Sequence, residues 1–247
     1  MKKMLLLLFV TFTGIATVSS QTLDEVLQKY YEANYMDKLI KLESMKYSGK
    51  SFQMGMETPF TTTITRSGKF LLEVPIQGQM MKQAYNGEVG WMIAPWTGSL
   101  DPIDLDPETV KRIKRQIEIE GPLYNSAEKG YTTELLGKED LEGTEVYVIK
   151  QIDEDKNEYK HYIDAENYIL LKTHVVLLIQ DSEMEADQYF SNYKIIDGIL
   201  VATSMESRVN GQVQSQVNIE KAEFNIPIDD KIFDKPVKAA TEEENKQ

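Results

Sequence analysis

From Met45 onward, apolar and polar residues alternate with a period of two, interrupted about every ten residues by a short turn. The pattern predicts strands near 45–54, 58–66, 69–75, 79–85 and 89–94, with turns at Gly55, Ser67-Gly68, Gln77-Gly78 and Asn86-Gly87. It resumes near 132–137, 143–152, 158–164, 168–179, 184–196, 199–209 and 213–224, where Asp197-Gly198 and Asn210-Gly211 are strong two-residue hairpin signals. Connections this short predict antiparallel neighbours, because parallel strands need crossovers of a dozen residues or more. Two stretches carry a helical period instead. Thr22-Leu23-Asp24-Glu25 matches a capping box and opens an apolar stripe through Leu23, Val26, Leu27, Tyr30, Leu39 and Ile40, predicting a helix to about residue 42. Asp106-Pro107 reads as an N-cap followed by proline at the first helical position. The helix it starts carries Val110, Ile113 and Ile117 on one side and Lys111, Arg112, Lys114 and Arg115 on the others, and stops at Gly121-Pro122. A short helical turn is expected over 122–128.

The economical assembly is one curved antiparallel sheet with a helix before it and a helical insertion in its middle, an α+β, mainly β class. A single domain over residues 21–237 is expected, since dividing it would leave two small sheets with exposed apolar faces and no Ser/Gly/Pro-rich linker lies between them. Residues 238–247 form a charged tail. The first twenty residues stand apart. Lys2 and Lys3 precede an apolar run from Met4 to Val10 that weakens toward Ile15, followed by Ala16-Thr17-Val18-Ser19-Ser20. That order is a signal peptide, with cleavage expected before Gln21, and the run is shorter than the roughly 20 residues of a membrane span. The mature protein is therefore expected to be exported, soluble and periplasmic.

Composition narrows the chemistry. The chain has 247 residues, 41% hydrophobic and 27% charged, the profile of a globular protein. With no Cys, thiolate catalysis, thiolate-ligated metals and a Cys-linked lipid anchor are excluded. A net charge of −13 disfavours nucleic acid and anionic membrane surfaces as partners. His161 and His174 lack the helical two-histidine spacing of a zinc protease and read as ordinary strand residues, so no metal or cofactor is expected. The sequence contains no Gly-x-Ser-x-Gly elbow, P-loop or dinucleotide-binding glycine cluster. The acidic groups Asp153/Glu154/Asp155 and Glu183/Glu185 fall at turns and strand ends, where solvated charge is the ordinary use. No catalytic residue is assigned. What stands out is apolar and soft: Met54, Met56, Met80, Met81, Trp91, Met92 and Trp96. Phe70 and Leu72 share one strand face and Val89, Trp91 and Ile93 another. Together with Met80 they are expected to form one wall facing the helices, with Val110, Ile113 and Ile117 as the lid.

Several segments in order resemble the exported LolA-like lipoprotein carriers, the outer-membrane lipoprotein-sorting proteins. They are Arg66-Ser67-Gly68-Lys69-Phe70 before a strand, Tyr85-Asn86-Gly87 leading to Trp91 and Pro95, and Tyr162-Ile163-Asp164 leading to Leu170-Leu171. The run from Phe190 through Asp197-Gly198 to Leu200 follows, and then Phe224-Asn225-Ile226-Pro227-Ile228 and Phe233-Asp234-Lys235-Pro236. The resemblance spans most of residues 22–236. It implies an incomplete β-barrel closed by a helical lid, whose apolar cavity shields the acyl chains of lipoproteins or other lipids between an inner-membrane donor and an outer-membrane acceptor. Each methylene kept from water is worth about 0.8 kcal/mol, so such a cargo needs a carrier but no covalent step. The sequence departs from the family at two places. Leu71, Leu72 and Glu73 occupy the strand where carriers commonly place a lid-latching arginine, and Ala202 stands where a proline is usual. The resemblance thus leaves open a monomeric carrier and a lipid-sensing module that acts through a protein partner, and the residues leave open a carboxylate-dependent hydrolase.

Overall fold

The computed structural model describes residues 21–179 and 182–237; the expected signal peptide and charged tail lie outside the described residues. The chain opens with α1 (Leu23–Ala33), whose Thr22 and Glu25 form the expected reciprocal cap: the Thr22 amide donates to Glu25 Oε2 at 2.8 Å and the Glu25 amide to Thr22 Oγ1 at 3.3 Å. The helix does not continue to residue 42. Tyr35 adopts a left-handed conformation, φ +52°, and the chain restarts as the one-turn α2 (Met36–Leu39), so the long apolar stripe is divided between two elements.

The strands follow as β1 (Ser44–Gln53), β2 (Met56–Thr65), β3 (Phe70–Ile76), β4 (Gln79–Tyr85), β5 (Gly90–Ile93) and β6 (Ile103–Asp104). After α3 (Pro107–Gln116) come β7 (Thr132–Leu141), β8 (Thr144–Ile152), β9 (Glu158–Asp164), β10 (Leu170–Ile179), β11 (Ser182–Ile196), β12 (Ile199–Val209) and β13 (Gln212–Phe224). All belong to one antiparallel sheet ordered β6-β5-β4-β3-β2-β1-β13-β12-β11-β10-β9-β8-β7. The two-residue β6 is not among the expected strands, and where a short helical turn is expected over 122–128 the chain forms turns from 122 to 130, the Glu128 and Lys129 amides both donating to the Asn125 carbonyl. Central residues with positive φ shape the hairpins: Met54 and Gly55, Gln77 and Gly78, Asp197 and Gly198, and Asn210 and Gly211.

The joint between β1 and β13 makes this one sheet of two arms, one running out to β6 and the other to β7, with the barrel left unclosed between them. A register shift at Ser48/Gly49 lies in that joint, and a Cβ on Gly49 would fall 2.0 Å from the Asn218 carbonyl oxygen, so only glycine fits there.

The helices pack on one face, the inner one. Val26 of α1 packs with Leu123, Tyr147, Ile149 and Ile163 over β8 and β9. Ile113 and Ile117 pack with Met45, Ile64, Phe70, Tyr85, Ile199 and Val201 over β1–β4 and β12. On the outer face, a 3-10 turn at Asp230–Phe233 places Phe233 over Leu71, Ala84 and Trp91.

Candidate functional site

The site is built from α3 and the inner face beneath it. Asp106 caps the helix by accepting from the Thr109 amide at 2.9 Å and its hydroxyl at 2.7 Å, and Pro107 supplies the first helical φ. Val110 lies so close to β5 that a Cβ on Gly90 would come within 2.6 Å of its side chain, so glycine at that strand position lets the helix seat. The basic side of α3 reaches the opposite arm. Arg115 Nη2 meets Asp153 at 3.0 Å and Asp155 at 2.5 Å in the β8–β9 turn, and Lys111 also pairs with Asp155. The Lys111 hydrogen bond, with the charges of Lys111 and Arg115, holds the Asp155 carboxyl below the usual carboxylate range. Asp153 is buried and well supplied, accepting from the Asn157 amide at 2.9 Å, Asn157 Nδ2 at 2.8 Å and the Tyr159 hydroxyl at 3.2 Å. Beyond the helix, Arg66 pairs with Glu120 at 2.6 Å while donating to the carbonyls of Leu39 and Leu42 at 2.7 and 2.5 Å. Thus α3 is seated on one arm by apolar contact and clasped to the other by charge. Glu73, in the strand where the resemblance places a latching arginine, instead pairs with Lys82 at 2.8 Å.

Register divides the expected wall. Phe70 pairs with Tyr85 and Leu72 with Gln83 on the inner face, the face that Val110, Ile113 and Ile117 cover. Trp91 pairs with Ala84, Ala84 with Leu71, Ile93 with Lys82, and Met80 with Pro75, which puts Met80, Trp91 and Ile93 on the outer face. The single wall of Phe70, Leu72, Met80, Trp91 and Ile93 is therefore corrected. Period two shows which residues of one strand share a face, but the cross-strand pairing decides which face that is. Trp91 is sealed, its indole Nε1 donating to the Phe233 carbonyl at 2.8 Å. The inner-face partners absent from the expected wall are Phe60, Val74, Met81 and Met92, of which Met81 and Met92 stand among the soft residues singled out in the sequence. Met81 was discoverable as the neighbour of Met80 with opposite parity. Beneath Ile113 the inner face is a packed core, and past Ile117 it opens into a hollow of about 380 Å³ lined also by Thr65, Tyr85, Lys114 and Glu118. Farther along the strands, Phe60, Leu72, Val74, Met81, Met92, Val217 and Ile219 are half-buried on the same face, interspersed with Thr58, Thr62 and Gln83.

The two histidines do other work. His174 Nδ1 lies 2.9 Å from Asp187 Oδ1, which also pairs with Lys172 at 2.9 Å. Among the described residues no group of three or more His, Asp or Glu side chains is placed to hold a metal ion. His161 is buried between Gln151 and Thr173, at 2.9 and 3.0 Å. Gln151 Nε2 donates to the Pro122 carbonyl at 3.1 Å, so its oxygen faces Nε2 of the imidazole, which then carries the proton and leaves Nδ1 to accept from Thr173. Burial pushes the His161 pKa down to about 4 from its ordinary 6.5. A depressed histidine pKa means that the unfolded chain takes up the proton first. The histidine therefore costs nothing above pH 6.5, and stability is lost as pH falls from there toward 4, by up to about 3 kcal/mol. We expect a His161→Gln variant to be less stable than the native protein at pH 7.5. That gap should narrow by about 2 to 3 kcal/mol between pH 7.5 and 4.5 in urea titrations, the amount set by the native histidine's protonation.

Comparison with solved structures bears on this architecture. A LolA superfamily protein from Nitrosomonas europaea superposes with a TM-score of 0.60 at 15% identity, over 87% of this chain and 99% of that one. The chain has a LolA-like fold. A putative outer membrane lipoprotein-sorting protein domain from Vibrio parahaemolyticus matches with a TM-score of 0.57 at 14% identity, over 85% of this chain and 95% of that one. A DUF1329 family protein from Desulfovibrio piger matches with a TM-score of 0.56 at 12% identity, over 85% of this chain and 97% of that one. Identities this low establish the LolA-like fold and nothing finer. A family model described as "-like: Uncharacterized protein" matches residues 123–237, less than half of the chain. No curated protein matches the sequence. No helix among the described residues is long and apolar enough to cross a membrane.

Proposed function

We propose that this protein is a non-enzymatic carrier, exported to the periplasm through residues 1–20, that shields the acyl chains of lipoproteins or lipids on the inner face of its half-barrel for transfer toward the outer membrane. The observation that carries the reading is the row of half-buried apolar side chains Phe60, Leu72, Val74, Met81 and Val217 on the inner face, adjoining a helix clasped across the two arms by Arg115 and Asp153. Such a surface binds by burial alone, and its affinity for a cargo scales with the apolar area removed from water. The fold shared with a putative lipoprotein-sorting domain supports the same class of cargo. In this reading Phe70, Leu72, Val110, Ile113 and Ile117 form the closed end of the site, and the protein works as a monomer between a donor and an acceptor.

Fluorescent fatty acids of increasing chain length test it. Affinity is expected to rise with each methylene, by up to about 0.8 kcal/mol, until the lining is filled. Mass spectrometry of organic extracts of the gently purified protein should then identify the native cargo. Binding independent of chain length, or turnover of an ester probe, would remove the carrier reading.

A further inference from the structure

Three adjacent hairpins end in segments without a single charge, in a chain that is 27% charged: residues 51–56 between β1 and β2, 74–81 between β3 and β4, and 209–219 across the β12–β13 turn. They are neighbours because β4, β3, β2, β1, β13 and β12 are consecutive in the sheet, and antiparallel pairing brings their turns to the same rim. At the base of each segment stands an ion pair: Lys50 with Glu57 at 2.8 Å, Glu73 with Lys82 at 2.8 Å, and Glu206 with Arg208 at 2.6 Å. Beyond this row of charges the tips carry large apolar side chains in solvent. Met54 is 88% exposed, Met56 66%, Val213 53%, Phe52 46% and Met80 42%.

Met54 is the most telling. It sits at φ +52° before Gly55, a left-handed position where the turns at 197–198 and 210–211 use Asp and Asn, whose short polar side chains suit that backbone. Methionine there combines an unfavourable conformation with almost complete exposure, so neither turn geometry nor packing accounts for it.

We propose that this rim docks the protein on a zwitterionic lipid bilayer, inserting the three tips into its interface. The inference rests on the carrier reading, because the half-buried inner lining of β1–β4 and β13 runs out toward the same rim and would face the acyl chains. A lipid surface suits the patch better than a protein groove, because separate Met, Phe and Val protrusions enter an interface one by one and need no complementary shape. Three residues beyond the Glu73–Lys82 pair, at roughly 3.3 Å each, reach about 10 Å, the depth of an interfacial insertion, and leave the charges at headgroup level. The net charge of −13 selects neutral headgroups over anionic ones.

Co-sedimentation of the purified protein with phosphatidylcholine vesicles tests this. Binding is expected at 0.1 M salt and should be unchanged at 0.5 M, and replacing part of the lipid with phosphatidylglycerol should weaken it. The triple variant Phe52→Thr, Met54→Asn, Met56→Thr gives the turn its favoured residue, so its circular dichroism melt should match the native one while the vesicle-bound fraction falls at least tenfold. Val213→Lys, one hairpin away, should also reduce binding, marking a rim rather than one loop. Failure of the native protein to bind, equal binding by the triple variant, or binding that requires phosphatidylglycerol and disappears in salt would overturn the proposal. Soluble fatty-acid probes separate it from the carrier reading. Probe binding retained without vesicle binding refutes only the rim, whereas vesicle binding lost in the variant without any chain-length ladder supports the rim and refutes only the carrier.

Discussion

Ile113→Asp is expected to strip α3 from the sheet and cost the protein several kcal/mol of stability. Ile113 is 3% exposed and lies at the centre of the cluster formed with Phe70, Tyr85, Ile117 and Val201. Removing its side chain alone, as in Ile113→Ala, typically costs 2–5 kcal/mol through lost burial and the cavity left behind, so about 3 kcal/mol is expected here. The aspartate adds a carboxylate among the apolar side chains of that cluster, while the nearby Lys114 is held over the Tyr85 ring. Arg115 and Lys111 are already engaged at the β8–β9 turn, on the other side of the helix. The charge must therefore be neutralised or drag the helix into water. Urea unfolding of Ile113→Ala measures the packing share, and the further fall in Ile113→Asp measures the charge. If the aspartate variant keeps a cooperative transition, a lowered midpoint with a changed slope would show that α3 detaches while the sheet survives. Native-like stability in Ile113→Asp would mean that the helix does not seat as described. A folded aspartate variant should also retain less bound lipid, because the closed end of the proposed site is lost with the helix.

Trp91→Ala is expected to be as damaging to folding and to leave acyl binding nearly intact. Trp91 is 1% exposed, packs with Leu71, Ala84 and Phe233, and donates its indole hydrogen bond to the Phe233 carbonyl. Truncating a tryptophan so enclosed costs about 3–5 kcal/mol and would release the C-terminal turn from the outer face. Because the outer face is separated from the lining by the sheet itself, the chain-length ladder of fatty-acid affinity should persist in whatever fraction remains folded. Thermal denaturation together with probe titration below the melting temperature checks both halves. Loss of the ladder in a folded Trp91→Ala protein would place Trp91 at the acyl site and contradict the register of β4 and β5. In the native protein, fatty-acid binding should change the emission of Trp91 little, since that ring is screened from the inner face.

The candidate site was legible in part, and its residues show why. Ile113 and Ile117 could be assigned to the covered side of α3 because a lone apolar stripe on an otherwise basic helix has one face to bury. Phe70 and Leu72 lie on the inner face, whereas Trp91, Ile93 and Met80 lie on the outer one. The turn between β4 and β5 sets Tyr85 opposite Gly90, and with a two-residue period a shift of one position would have moved every side chain to the other face. The clasp was likewise hidden. Arg115 and Asp153 are far apart along the chain, and neither belongs to a motif; only the folding of one arm over the other brings them to 3.0 Å.

By itself the sequence determined the local elements: the Thr22 cap, the Asp106-Pro107 helix start, and strand boundaries that mostly fall within one or two residues of those observed. These depend on interactions within a few residues, such as capping hydrogen bonds, side-chain alternation and the left-handed backbone of Asp197-Gly198 and Asn210-Gly211. Tertiary structure decided the pairing of β1 with β13, the break at Tyr35, the face each strand presents and the gathering of three uncharged turns on one rim. The strand pairings and the faces they set depend on contacts between residues distant in the chain, where register and close approach, as at Gly49 against the Asn218 carbonyl, choose among arrangements that local preference leaves equal.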